Sequence, residues 1–224
     1  MNKKTKLLAV AVVIMTVLSL AALIQSVNTT QNPKAQHFPI RVACVGDSIS
    51  NISNYPDDLW LLLGTNYTVA KFGVNGATAS LYSDVAYINQ PECQAAKDFE
   101  PDIVIIMLGT NDATTDFPIY RTNYTDHYKQ IVTGFQTLPN KPQIWLMKPP
   151  PIVGDGNCLS TASMVTYVIP AIEKVANETN LPTIDVYSAL VGHPEYFADD
   201  GVHPNSVGSQ MIAEVVYKAL TGKT

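Results

Sequence analysis

Residues 40–50, IRVACVGDSIS, join a short apolar, β-branched run to a glycine and a polar turn. The run Ile40–Val45 predicts a buried strand that ends at Gly46. A second apolar run, Asp102–Leu108 (DIVIIML), follows a proline and is typical of a strand that is covered on both faces. Residues at helical spacing, Tyr55–Leu63, lie between these two runs. Strands buried in this way and separated by helices favour a parallel sheet.

The rest of the chain continues the same alternation of strands and helices. Further strands are predicted at Tyr67–Phe72, Gln143–Met147 and Thr183–Val186. Further helices are predicted at Ser83–Phe99, Tyr120–Leu138, Thr161–Thr179 and Ser206–Leu220. Pro170 should kink or split the third of these, and Asn205 or Ser206 should cap the last. The pattern predicts an α/β fold, a three-layer α/β/α flavodoxin-like sandwich with a five-stranded parallel sheet.

Composition excludes several classes of protein. Of the 224 residues, 46% are hydrophobic and 15% are charged, so the chain can bury a core and is not of a disordered type. The formal net charge is −5 and no basic block follows the first few residues, so no nucleic-acid partner is expected. Three cysteines are too few for a disulfide scaffold. Cys44 should be a buried thiol, and a disulfide between Cys93 and Cys158 is conceivable.

The amino terminus has the pattern of an export signal. Residues 2–6, NKKTK, carry three lysines, and residues 7–24 contain no charged side chain. Residues 1–26 are therefore predicted to be a signal peptide or an uncleaved membrane anchor, residues 27–38 a polar tether, and residues 39–224 the functional domain. This places the domain outside the cytoplasm, anchored or secreted, with membrane contact through the amino-terminal segment only. Five N-x-S/T sequons, at Asn28, Asn51, Asn66, Asn123 and Asn177, make glycosylation plausible, although Asn51 follows the GDS segment closely and is not expected to be modified.

Polar residues and glycines follow the predicted strands where each strand ends. Ser48 follows the first strand, Gly76 the second and Asn111 the third, and Asp200 and His203 precede the last helix. Because the carboxyl ends of parallel strands meet at one edge of a sheet, these residues should converge there. A serine hydroxyl needs a base to attack a carbonyl carbon, and a histidine oriented by a carboxylate is such a base.

Four segments, GDS (46–48), GVNGAT (73–78), GTND (109–112) and DGVH (200–203), resemble the four signature blocks of the SGNH hydrolases, also called the GDSL esterase/lipase superfamily. The resemblance implies a triad of Ser48, His203 and Asp200, with the DGxH pattern selecting Asp200 over its neighbour Asp199. It also implies an oxyanion hole made of the backbone N–H groups of Ser48 and Gly76 and the side-chain amide of Asn111.

The same resemblance gives Asp47 and Asp112 the role of supporting the loops.

Structural alternatives remain open for each residue of the triad and oxyanion hole. Ser48 could be a helix cap, Gly76 could serve only a positive φ, and Asp200 could form an Asx turn. Asn111 could merely satisfy loop backbone groups, and His203 could be a structural residue before Pro204.

The segment Leu146–Pro151, LMKPPP, resembles the proline loop of a compact bacterial and archaeal subgroup of this family, which is often likened to sialate O-acetylesterases and other carbohydrate deacetylases. The resemblance implies a serine esterase for short acyl groups, in particular acetyl esters of extracellular carbohydrate, with the proline loop as one wall of the cleft. No cofactor is expected, and no metal-binding motif is present. The alternatives are a lysophospholipase or lipase-type esterase, a surface acyltransferase, and a glycan-binding protein without turnover.

Overall fold

Five parallel strands form one sheet in the order β2-β1-β3-β4-β5. The computed structural model describes residues 38–114, 118–154 and 158–223, so the predicted leader, the tether up to residue 37 and the Asn28 sequon lie outside the described residues. The strands are β1 (Ile40–Gly46), β2 (Tyr67–Gly73), β3 (Ile103–Met107), β4 (Gln143–Lys148) and β5 (Thr183–Asp185). This strand order is that of a flavodoxin-like, doubly wound sheet, and it confirms the predicted fold.

Helices cover both faces of the sheet. The α-helices are α1 (Ser48–Ile52), α2 (Tyr55–Leu63), α3 (Pro91–Asp98), α4 (Tyr124–Gln136), α5 (Thr161–Ser163), α6 (Ile169–Thr179), α7 (Val186–Leu190) and α8 (Ser206–Thr221). Short 3₁₀ turns lie at Tyr87–Asn89, Asn111–Ala113, Pro118–Arg121 and Pro194–Tyr196. Among the residues that the structure describes, no helix has both the length and the apolar character to span a bilayer.

The core consists of two apolar layers, one on each face of the sheet. Ala43 and Val45 of β1 pack into the layer that α3, α4 and α6 cover. Val42 and Cys44 of the same strand pack into the layer under α2 and α8. All four side chains are fully buried. Burial on both faces explains why the central strands are continuous apolar runs.

Two of the predicted helices begin later than their sequence pattern suggests. The helix predicted from Ser83 begins at Pro91, after a 3₁₀ turn, because proline has no N–H to donate and is favoured at the first helical position. The helix predicted from Tyr120 begins at Tyr124. Asn123, with φ of 56°, adopts the left-handed conformation there and separates the helix from the preceding 3₁₀ turn.

The helix predicted over Thr161–Thr179 is split, as Pro170 indicated. α5 runs into a π-helical turn, Met164–Val168, and α6 begins directly after it. Pro170 follows this wide turn directly, and because it has no N–H to donate it favours an irregular turn at this point. Of the two predicted caps of the last helix, Asn205 caps α8, and Gly222 follows its end with φ of 67°.

Two of the cysteines lie inside the core. Cys44 is buried in β1, and burial raises the pKa of its thiol to about 12. Cys93 is a buried free thiol in α3, so the disulfide considered between Cys93 and Cys158 is not present.

The end of β2 packs directly against α1. A Cβ atom at Gly73 would lie 2.5 Å from the backbone N of Asn51 and 2.5 Å from the carbonyl O of Asp47. Both contacts are with backbone atoms, which cannot move aside as a flexible side chain could. Gly73 therefore fixes how closely the helix that begins with Ser48 approaches the sheet.

Gly73→Ala is expected to destabilise the domain because the added methyl group forces β2 and α1 apart. Overpacking of this kind costs about 1–3 kcal/mol, which corresponds to a Tm lower by about 3–10 °C in a domain of this size. Gly134→Ala in α4 is the matched control. Its added Cβ meets only the flexible end of Lys97, at 3.3 Å, so the Tm should stay the same or rise. Equal melting curves for Gly73→Ala and wild type would contradict the tight packing.

Candidate active site

Ser48 is the first residue of α1 and lies directly after the carboxyl end of β1. Asp47 caps the helix, and its Oδ1 accepts from the N–H of Ile49 at 2.9 Å. Ser48 is therefore not the capping residue, which removes one of the structural alternatives for it. The Ser48 Oγ lies 2.8 Å from Nε2 of His203, although the two residues are 155 positions apart in the chain.

The histidine ring is held on its other side by Asp200. The Nδ1 of His203 lies 2.6 Å from Oδ2 of Asp200. With Nδ1–H donating to the carboxylate, Nε2 is left to accept the hydroxyl proton of Ser48. Two short hydrogen bonds thus connect Ser48 to His203 and His203 to Asp200.

The second oxygen of Asp200 organises the loop that carries His203. Oδ1 of Asp200 accepts from the N–H groups of Val202 and His203, at 2.9 Å each. The Asx turn that the sequence left open is thus formed by the same carboxylate that holds the histidine ring. Burial raises the pKa of Asp200, but the hydrogen bonds from His203 and Val202 outweigh it and hold the pKa below its usual value. The carboxyl group is therefore ionised at neutral pH.

A neighbouring loop fixes the position of this turn. Gly201, with φ of 68°, lies so close to Val153 that any Cβ atom would collide with the Val153 carbonyl oxygen. The Val153 N–H donates to the Gly201 carbonyl at 2.6 Å. Val153 lies two residues after the proline loop, whose prolines, Pro149–Pro151, are themselves buried. The segment that continues from the predicted wall of the cleft therefore supports the turn that carries the histidine, and sequence alone gave no signal of that contact.

Hydrogen bonds tie the loop that carries Gly76 to the end of β1 and to Asn111. The N–H of Val74 donates to the Gly46 carbonyl at 3.0 Å, which ties the loop after β2 to the end of β1. The Asn111 Nδ2 donates to the Ala77 carbonyl at 2.9 Å. One amide hydrogen of Asn111 is used in this way, and the other makes no hydrogen bond to the residues that the structure describes.

The backbone N–H groups of Ser48 and Gly76 donate to no acceptor within the described ranges. Gly76 has φ of 77°, and no atom lies within 4 Å of the position a Cβ would take. Gly76 therefore has a positive φ, and the space on the side where a side chain would lie is open. Unused donors at the end of β1 and in the facing loop can stabilise an oxygen that becomes negatively charged.

Asp112 is buried and holds the loop that follows Gly76. Its two carboxyl oxygens accept from the N–H groups of Ala79 and Ser80, at 3.0 and 2.9 Å. Burial raises the pKa of Asp112 to about 7 in spite of these two donors, and the nearby charge of Asp47 raises it further. Asn111 and Asp112 are adjacent, so one short segment of the chain fixes the loop of Gly76 at two points.

Asp47 is also fully buried, and burial raises its pKa to about 6. The N–H of Ile49, the Thr110 side chain and the charge of His203 each lower the pKa, but together they do not offset burial. The Oδ2 of Asp47 and the Oγ1 of Thr110 are both buried without a hydrogen bond at normal distance. Asp47 thus caps α1 and Asp112 holds the loop of Gly76, and their raised pKa values could not be predicted from sequence.

Residues 44–211 match the model of the GDSL-like lipase/acylhydrolase family. The chain belongs to this family. The match covers the end of β1, all four signature blocks and most of the sheet. The resemblance predicted from the GDS, GVNGAT, GTND and DGVH segments is confirmed.

Relatives of this GDSL-family chain include esterases. It is 28% identical, over 213 residues, to an acetylxylan esterase of Xylanibacter ruminicola, with 84% of this chain and 44% of that protein covered. The chain therefore spans less than half the length of this curated relative. Among solved structures, the aryl esterase of M. smegmatis superposes with a TM-score of 0.68 at 16% identity, covering 82% of this chain and 99% of that one. A catalytic mutant of Axe2, an acetylxylan esterase of Geobacillus stearothermophilus, gives 0.66 at 22% identity, covering 83% and 96%.

Asp47→Asn is expected to stabilise the domain at pH 8 and to leave it unchanged at pH 4. An unfolded aspartate ionises near its usual pKa of 3.8, whereas the folded carboxyl ionises at about 6. Wild-type stability should therefore fall as the pH rises between these values and stay lower above them. The asparagine Oδ1 still accepts from Ile49 and carries no charge. About two pKa units correspond to about 3 kcal/mol, so the variant should melt about 5–10 °C higher at pH 8.

The measurement is a series of thermal melts from pH 4 to pH 8 for wild type, Asp47→Asn and the control Asp199→Asn. Asp199 is exposed, so its variant should follow the wild-type curve. A Tm difference for Asp47→Asn that does not grow with pH would show that the buried carboxyl is already satisfied as an anion.

Proposed function

We propose that this protein is a serine esterase that removes short acyl groups, in particular acetyl groups, from carbohydrate. The observation that carries the proposal is the pair of short contacts, 2.8 Å from Ser48 Oγ to His203 Nε2 and 2.6 Å from His203 Nδ1 to Asp200 Oδ2. A serine activated in this way attacks carbonyl carbons and forms an acyl-enzyme. Membership of the GDSL-like family supports ester hydrolysis as the reaction.

The geometry supports a reaction in two steps. In the first, Ser48 Oγ bonds to the ester carbonyl carbon while its proton passes to His203 Nε2. The oxyanion accepts from the N–H groups of Ser48 and Gly76 and from the Asn111 amide, and the alcohol leaves with the proton from His203. In the second, water attacks the acyl-enzyme, gives its proton to His203, and releases the carboxylic acid and free Ser48. Asp200 stays ionised throughout and stabilises the imidazolium that forms in each step.

Carbohydrate acetate is the substrate class that the relatives support best. The acetylxylan esterase of Xylanibacter ruminicola aligns with most of this chain. The side chains of His203 and Asp200 are 29% and 40% exposed, so the site is open enough for an acetylated sugar in a larger chain. An open site also admits water to the acyl-enzyme, which favours hydrolysis over transfer to a second acceptor.

We further infer that the domain acts outside the cytoplasm. The three lysines in residues 2–6 and the uncharged run over residues 7–24 support an export signal or anchor. Besides Asn51, which lies beside the site, the sequon asparagines Asn66, Asn123 and Asn177 are exposed and could carry glycans. Fractionation of the host cells, together with amino-terminal sequencing of the mature protein, distinguishes a cleaved signal from an anchor.

Ser48→Ala is expected to lower kcat on p-nitrophenyl acetate by at least about a thousandfold, because the nucleophile is removed. Asp200→Asn should lower kcat to a similar extent, since the amide cannot hold the histidine in the same tautomer. Asp199→Asn provides the matched control, because it alters the adjacent carboxylate, and it should retain wild-type kcat. Wild-type rates should fall from acetate to decanoate esters.

Three outcomes would change the proposal. Preference for decanoate would assign a lipid ester instead of an acetate. Full activity of Ser48→Ala would remove the nucleophile from the mechanism. Acetyl transfer to added xylobiose, in place of acetate release, would make the protein an acyltransferase.

Asn111→Ala is expected to lower kcat by about a hundred- to a thousandfold while KM changes little, because an oxyanion donor acts mainly in the transition state. The measurement is a full saturation curve for p-nitrophenyl acetate, with circular dichroism to check folding. A rise in KM at unchanged kcat would show that Asn111 binds the ground state and would remove it from the oxyanion hole.

A further inference from the structure

The exposed face of α1 extends beyond the nucleophile. Asn51 and Ile52 lie three and four residues after Ser48, so they share its face of the helix one turn further along. The intervening residues, Ile49 and Ser50, are fully buried. Asn51 is exposed, and Ile52 is 55% exposed. A polar amide and an aliphatic side chain therefore stand beside Ser48 on the open side of α1.

A second amide faces Asn51 from the loop after β2. Asn75 directly precedes Gly76, and its Oδ1 accepts from Nδ2 of Asn51 at 3.0 Å. Both side chains are exposed. Within the described residues no other hydrogen bond is made by the Asn51 Oδ1, by the second amide hydrogen of Asn51, or by either amide hydrogen of Asn75. The pair thus offers one acceptor and three donors next to the nucleophile and the proposed oxyanion hole.

The contact between the two amides is not needed to hold the loop of Gly76. That loop is already tied to β1 by the bond from Val74 to Gly46, and to the loop after β3 through Asn111 and Asp112. These bonds involve backbone groups or buried side chains, whereas the bond between Asn51 and Asn75 is open to water. An exposed hydrogen bond adds little to the positioning that the others provide.

We propose that Asn51 and Asn75 form a subsite for the sugar part of the ester substrate, with Ile52 as its apolar side. Sugar hydroxyl groups both donate and accept, and adjacent amides with free donors and an acceptor match them. The C–H groups of a pyranose ring match an exposed aliphatic side chain in the same place. The proposal rests on the carbohydrate esterase function and adds where the sugar is recognised.

The test compares Asn51→Ala, Asn75→Ala and the double variant with wild type on two acetates. An acetylated xylooligosaccharide presents sugar hydroxyl groups, and p-nitrophenyl acetate presents none. The ratio of kcat/KM for the sugar acetate to that for p-nitrophenyl acetate should fall about fivefold in each single variant and further in the double variant, mainly through KM. Asn66→Ala is the control. It removes an exposed asparagine at the opposite edge of the sheet, before β2, and should leave both kcat/KM values unchanged.

Three results would overturn the subsite. Equal losses on both acetates, through kcat, would show that the pair only positions the loop of Gly76. Wild-type values on both substrates in the double variant would show that the amides contact no sugar. A wild-type protein that cleaves p-nitrophenyl acetate but no sugar acetate would reject the carbohydrate function itself, and the subsite would be rejected with it.

Discussion

Two glycines side by side at the carboxyl ends of β1 and β2 set the geometry on which the candidate site depends. Gly46 pairs with Gly73 in the parallel register, and neither position has room for a Cβ atom. At Gly46 it would lie 2.5 Å from the Met107 carbonyl oxygen, and at Gly73 it would meet the backbone of α1. Because both side chains are absent, α1 can begin immediately above the sheet with Ser48 in its first turn. The Ser48 hydroxyl then reaches His203, which lies in the loop before the last helix, α8.

Three aspartates lie close to this point, and their surroundings shift their pKa values in different directions. Asp200 is partly exposed and accepts from backbone N–H groups and from the histidine ring, which together favour its anionic form. Asp47 and Asp112 are fully buried, and burial raises the pKa of both. The surroundings therefore favour the anionic form most strongly at the carboxylate that touches the histidine. The two buried carboxyl groups contribute mainly as acceptors that fix the backbone of the surrounding loops.

The sequence was sufficient to predict the sheet and the residues that converge on its edge, but not the details that depend on tertiary contact. A strand that is buried on both faces needs apolar residues throughout. The apolar run Asp102–Leu108 therefore predicts such a strand from sequence alone. The predicted helix start at Ser83 was wrong, because a 3₁₀ turn comes first and the helix begins at Pro91. The left-handed Asn123 was missed for a similar reason, since asparagine adopts that conformation only in particular surroundings. The contacts of Asn51 with Asn75 and of Gly201 with Val153 join segments far apart in the chain, and no periodicity records them.

The hydrogen bond between Val153 and Gly201 also bears on how the protein should lose activity when it is heated. The histidine turn has no regular secondary structure of its own, and it is anchored to the segment that follows the proline loop. If that segment detaches, the turn keeps only its bonds to residues 196–198, so His203 is held less firmly against Ser48 while the five strands stay paired. Loss of turnover on warming would then precede loss of the sheet. Since the sheet remains as a template, cooling would restore the detached segment, and inactivation in that temperature interval would be reversible.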